Sequence, residues 1–132
     1  MMKPVYVIAA LMLAAPFAAP AIAETALKTI PTEYQGEWSS VPEACGNRES
    51  GERFVIDETS ISYFEEGDSV VEVTRIDPNS IHLVVDYEDY DGIERLYRTL
   101  ILSDDRQTLS FYYGDGPENV SRRCPQGDPH GE

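Results

Sequence analysis

The stretch that decides the fold is SIHLVVDYEDYDGIERLYRTLIL, residues 80–102. Its first part alternates: Ile81, Leu83, Val85 and Tyr87 fall on one side, His82, Val84 and Asp86 on the other. Its second part does the same, with Leu96, Arg98, Leu100 and Leu102 opposed to Tyr97, Thr99 and Ile101. A period of two sends successive side chains to opposite faces of a sheet, so both parts are expected as strands with one buried face. Between them runs Glu88-Asp89-Tyr90-Asp91-Gly92, and its Asp-Gly pair suits the tip of a tight hairpin. The stretch predicts two antiparallel strands joined at an acidic tip.

Strand-length apolar clusters separated by turn residues recur on both sides of it. Arg53-Phe54-Val55-Ile56 precedes Asp57-Glu58-Thr59, and Ile61-Ser62-Tyr63-Phe64 precedes Glu65-Glu66-Gly67-Asp68. The Val-rich residues 70–76 end at Asp77-Pro78-Asn79. After the turn Ser103-Asp104-Asp105-Arg106, Leu109, Phe111 and Tyr113 mark one face of another strand. Gly114-Asp115-Gly116-Pro117 turns the chain again, and residues 119–124 make a last strand. No long stripe of 3.6-residue period follows residue 23. The expected fold is all-β: one antiparallel domain over residues 34–124, of about seven or eight strands in consecutive hairpins. An up-and-down barrel removes its edges by closing, and a two-sheet sandwich is the competing architecture.

The chain ends carry different signals. Lys3 precedes the uncharged apolar residues 5–15, and Ala21-Ile22-Ala23 presents small residues before Glu24. That order predicts a cleavable signal peptide over residues 1–23, of bacterial type, cut between Ala23 and Glu24. The apolar run, broken by Pro16 and Pro20, is too short to span a bilayer core of about 30 Å. The processed chain is therefore expected in the periplasm or the medium, without membrane insertion. Residues 24–33 form a short polar leader with little pattern, and residues 125–132 a frayed tail.

Export bears on the two cysteines, Cys45 and Cys124, the whole complement of the chain. An oxidising compartment favours their pairing. The bridge closes a loop of about 80 residues, which the chain-entropy account values at roughly 4.5 kcal/mol. Two cysteines and two distant histidines do not complete a zinc site.

Charge narrows the partners. Against 24 Asp and Glu stand 10 Lys and Arg, a net charge of −14. Nucleic acid and anionic lipid bind through Lys and Arg that neutralise phosphate, so both are excluded as partners. A cationic protein is attracted, and the same charge also serves solubility alone. The tip carboxylates Asp86, Glu88, Asp89, Asp91 and Glu94 do not reproduce calcium-loop spacing, and a strand splays them to both faces, so no metal site is assigned. Nor is any cofactor or catalytic residue: Gly-x-Ser-x-Gly, His-Glu-x-x-His and a phosphate-binding glycine loop are all missing. His82 and His130 are expected as solvated or packed side chains. Arg98, set among leucines, is expected inside the fold, either paired with an acid such as Glu72 or as the polar anchor of an anionic ligand.

Gly36-Glu37-Trp38 at the start of the first strand and Arg122-Arg123 in the last one resemble the lipocalin and calycin pattern. There a Gly-x-Trp motif opens the barrel and an arginine of the final strand lies over the Trp ring. The resemblance implies that Gly36, Trp38, Arg122 and Arg123 close one end of a barrel. A Cys45–Cys124 bridge between the chain's two extremities suits such folds. Small periplasmic barrels that inhibit metalloproteases and lysozyme share the outline, but no inhibitory loop of theirs maps onto residues here. Two functions are expected on these grounds. One is non-enzymatic binding of a small amphipathic ligand. The other is inhibition of a cationic enzyme, a lysozyme or protease, by the acidic loops. Ligand identity and oligomeric state leave no mark in the chain.

Overall fold

The computed structural model describes Met2 and residues 24–126. The signal peptide and its cut, residues 127–132 and His130 lie outside the described residues. The strands are β1 (Thr25–Leu27), β2 (Gly36–Ser39), β3 (Arg53–Ile56), β4 (Ser60–Ser62), β5 (Gly67–Asp77), β6 (Ser80–Asp89), β7 (Gly92–Leu102), β8 (Thr108–Tyr113) and β9 (Glu118–Arg123). From β2 to β9 each strand pairs antiparallel with the next in the chain. β9 then returns to β2 through Trp38 opposite Arg123 and Ser39 opposite Arg122. The result is a closed antiparallel eight-stranded barrel of up-and-down order, not a sandwich. The hairpin of residues 80–102 forms its longest uninterrupted ladder, from Ser80 opposite Ile101 to Asp89 opposite Gly92.

The alternation seen in the sequence becomes the inside and outside of this barrel. Ile81, Leu83, Val85, Leu100, Leu102, Leu109 and Phe111 are buried and join Trp38, Phe54, Ile56, Ile61 and Val73 in one apolar cluster. Each such side chain contributes about 1.5–3 kcal/mol by leaving water. Tyr97 and Ile101 stay exposed on the outer wall, and His82 there stacks on Tyr97 with ring centroids 5.8 Å apart. His82 Nδ1 lies 3.2 Å from Thr99 Oγ1, so of the two roles expected, solvated or packed, it takes a partly packed one.

β5 breaks its own alternation. Val70 lies opposite Val85 but Glu72 lies opposite Val84, so Val71 is an extra residue that bulges outward. A bulge shifts the phase of every side chain beyond it. Asp68 points inward before the bulge and Val73 after it, while Glu72 is exposed. Glu72 is thus not the internal partner of Arg98; Asp68, which the sequence reading left in a turn, is.

Residues 24–33 are more than a leader into the fold. β1 lies along β5, with Thr25 opposite Arg75 and Leu27 opposite Val73, beyond the reach of the short β4. Ile30 and Tyr34 are buried, and a 3-10 turn at Thr32–Tyr34 lies across that end of the bore. Three apolar positions in ten residues are too few to show a period, which is why no element was expected there.

The long β2–β3 connection, residues 40–52, folds back along the outer wall. A 3-10 turn at Pro42–Ala44 buries Ala44 and aims Cys45 at Cys124, with which it forms a disulfide across a separation of 79 residues. Glu37 ties the loop to the wall by accepting from the Gly46 amide at 3.0 Å and pairing with Arg53.

Candidate functional site at the barrel mouth

Up-and-down order sends alternate connections to opposite ends. The N-terminal turn and the loops after β3, β5 and β7 gather at one end, and the loops after β4, β6 and β8 at the other, from which loop 40–52 also leaves before folding back to Glu37 and Cys124. The first end is sealed. The Trp38 indole N–H donates to Tyr34 O at 3.0 Å, and the Arg123 guanidinium lies 4.2 Å from the Trp38 ring centroid. Arg123 also donates to the carbonyls of Gln35 and Glu33, each at 2.7 Å, and of Arg106 at 3.0 Å. Gly36 allows this approach: its φ is +120°, and a Cβ there would stand 3.2 Å from Arg123 Nη1. Arg122 alternates to the outside and is exposed, so the ring is covered by Arg123 alone of the two.

The other end is the mouth, and its floor is charged. Arg98 Nε and Nη2 donate to the two carboxylate oxygens of Asp68 at 3.0 and 3.1 Å. Both residues are almost fully buried, at 3% and 2% exposure. Tyr63 donates its hydroxyl to Asp68 Oδ2 at 2.6 Å, and Arg98 Nη1 donates to Tyr97 O at 3.1 Å. The Arg98 guanidinium faces the rings of Tyr113 at 4.9 Å and Tyr87 at 5.8 Å. Burial works against its charge, yet the hydrogen bonds and negative charge of Asp68 hold its pKa above the usual value. Burial, reinforced by the Asp68 charge, pushes the Tyr63 phenol far above the ordinary range. Phe54, Tyr63, Phe111 and Tyr113 adjoin this network with centroid distances between 4.6 and 6.4 Å. Of these rings Phe54 and Phe111 are buried in the bore, while Tyr113 reaches the surface.

The rim is acidic. A cleft of about 450 Å³ opens between the β4–β5 turn and the β6–β7 tip, lined by Glu65, Glu66, Glu88, Asp89 and Tyr90. A hydrogen bond to Glu66, with some burial, pushes the Tyr87 phenol up to about 12. Tyr90 is raised in the same way, by its hydrogen bond to Glu65. Around the cleft stand exposed apolar side chains: Tyr90 at 83%, Ile93 at 69%, and less fully Phe64 and Tyr113.

Few of the carboxylates at either end are paired. Among the described residues the ion pairs are Arg53–Glu37, Arg75–Glu33, Arg95–Asp86 and Arg98–Asp68. Arg95 and Arg98 are therefore engaged, and none of Glu65, Glu66, Glu88, Asp89, Asp91 or Glu94 has a cationic partner among these pairs. Of the five tip carboxylates singled out in the sequence, Asp86 is held by Arg95 at 3.0 and 3.3 Å, and Asp89 accepts the Asp91 amide. The one close gathering of three ligand-type side chains among the described residues is Glu37 with Cys45 and Cys124. Its sulfurs are bonded to each other and are not free thiolates.

Sequence reasoning missed Asp68, Tyr63 and Tyr87 as parts of one network. A usable signal was present: an inward arginine demands an acid, and Asp68 stands at the correct parity with Val70 before the bulge. Compared with known proteins, the chain matches no family model, and no curated protein or solved structure matches it.

Proposed function

We propose that this is an exported, non-enzymatic binding protein that captures a cationic protein, such as a lysozyme or protease, at the barrel mouth. The observation that carries this reading is the rim itself: carboxylates without cationic partners surround exposed Tyr90, Ile93 and Phe64. Aromatic anchors within a charged rim are the usual makings of a protein interface, the rim speeding encounter and the rings supplying affinity. The apolar leader and the Cys45–Cys124 bridge support export. Gly36-Glu37-Trp38 beneath Arg123 supports a lipocalin-like kinship for the barrel. A small amphipathic ligand, the other expectation, meets a bore already occupied by the aromatic cluster and the Arg98–Asp68 pair.

The test is capture of a purified basic lysozyme at about 0.01 M salt and again at about 0.15 M, where screening shortens to about 8 Å. A complex that forms at low salt, weakens at high salt and silences the enzyme supports the proposal. Absence of any complex with a panel of cationic hydrolases at low salt overturns it.

A further inference from the structure

A second concavity lies along the outer wall, between the disulfide-anchored loop 40–52 and strands β2 and β3, and meets the mouth cleft only at Ser62 and Tyr63. It measures about 1040 Å³ and is bordered by Arg48, Arg53, Val55, Arg123, the Cys45–Cys124 bridge and Pro125. That is the upper end of the range of small-molecule sites, about 300–1,000 Å³. Its chemistry is opposite to that of the rest of the molecule. In a chain of net charge −14, the border carries three guanidinium groups and one carboxylate, Glu37. Glu37 is already engaged by Arg53 and the Gly46 amide. Arg123 is fixed by its three carbonyl contacts, and Arg48 is exposed, with no hydrogen bond or ion pair among the described residues. The lining also offers apolar surface: the Val55 side chain, the disulfide, the Tyr63 ring and the Pro125 ring.

We propose that this groove binds a small anionic amphipath, with a carboxylate head toward Arg48 and an apolar stem along Val55 and the disulfide. Complementarity of charge selects the head, and the apolar part of the lining selects a stem over a bare anion. The bridge is then part of a binding site as well as a staple, because it holds the loop that forms one bank. This proposal does not rest on the one for the mouth: the groove shares Ser62 and Tyr63 with the mouth cleft but none of its rim carboxylates.

The experiment is amide chemical-shift mapping of the full processed protein with decanoate, decylammonium and decanol as probes. Decanoate is expected to move amides of residues 45–55 and 123–126, with decylammonium and decanol leaving them in place. Arg48→Gln is expected to weaken decanoate about tenfold, the scale of one charge-assisted contact. Val55→Glu, on the half-exposed outer face of β3, is expected to abolish it, and Lys28→Gln to leave it unchanged. Shift mapping on the unaltered chain stands even if a variant fails to fold. Absence of decanoate shifts in these two segments overturns the proposal, as does equal binding of decanol or an affinity unmoved by Arg48→Gln.

Discussion

Each end of the barrel is built around an inward arginine laid on an aromatic ring, and the two differ in what answers the charge. At the sealed end Arg123 lies over Trp38 and donates to three backbone carbonyls, and it makes no ion pair among the described residues. Burial, with the charge of Arg106, lowers its pKa below the usual arginine value. At the mouth Arg98 lies against Tyr113 and is held by the buried Asp68 carboxylate, which raises its pKa. Carbonyl dipoles hold a cation without requiring it. A buried carboxylate does require one, so the mouth rests on a pair whose members cannot be removed singly.

The sharpest way to break the comparison is Arg98→Ala. It strands Asp68 without its cation and is expected to cost about 3–5 kcal/mol in urea unfolding. The double variant Arg98→Met with Asp68→Leu should recover most of that loss, because no unpaired charge is left. Equal damage from the single and double variants would mean that shape, not charge, governs the site. Next comes the staple: replacing Cys45 and Cys124 together by Ser should lower stability by about 2–4 kcal/mol, read from the same unfolding curves. Arg123→Gln is predicted to cost less than Arg98→Ala, about 1–3 kcal/mol, since the released carbonyls can turn to water. A loss at the sealed end as large as that at the mouth would erase the distinction drawn here.

Alkali tests the sealed end in another way. Burial pushes the Tyr34 phenol up to about 12 from 10.0, the Arg75 charge offsetting part of the rise. A raised pKa means that the folded form holds its proton more tightly. Its contribution is complete below pH 10 and drains away between pH 10 and about 12, as the unfolded chain ionises and the folded chain does not. Stability measured across that window should fall, and Tyr34→Phe should flatten the decline. The smallest effect on stability is expected at the rim: Tyr90→Ala should shift unfolding by less than about 0.5 kcal/mol. The same substitution should weaken capture of a basic protein, which separates a surface made for binding from one made for folding.

Much of the barrel was legible because period two is a local property. Residues 80–102 announce two strands and their tip without reference to the rest of the chain, and the ladder follows them residue by residue. Gly36-x-Trp38 was legible as a pattern, although only the structure shows the +120° φ and the close Arg123 guanidinium that make glycine necessary. The site was less legible. Asp68 sits beside turn residues and so reads as part of the turn. Glu72, with the better flanking strand pattern, is turned outward by one extra residue at Val71. The plug made by Ile30 and Tyr34 has no period to betray it.

The amino-acid sequence by itself determined the all-β class, the acidic surface and the number of cysteines available to pair, because these depend on neighbouring residues or on composition. The Gly36-x-Trp38 resemblance pointed to a barrel, but tertiary structure alone decided between barrel and sandwich, chose the partner of Arg98 and set Arg123 rather than Arg122 over the ring. Those depend on residues brought together across the barrel, Asp68 with Arg98 and Trp38 with Arg123, and on a bulge that resets which side chains face inward. Local alternation gives a strand two faces but does not say which one turns inward past an irregularity. Only the burial achieved by the closed barrel settles that choice.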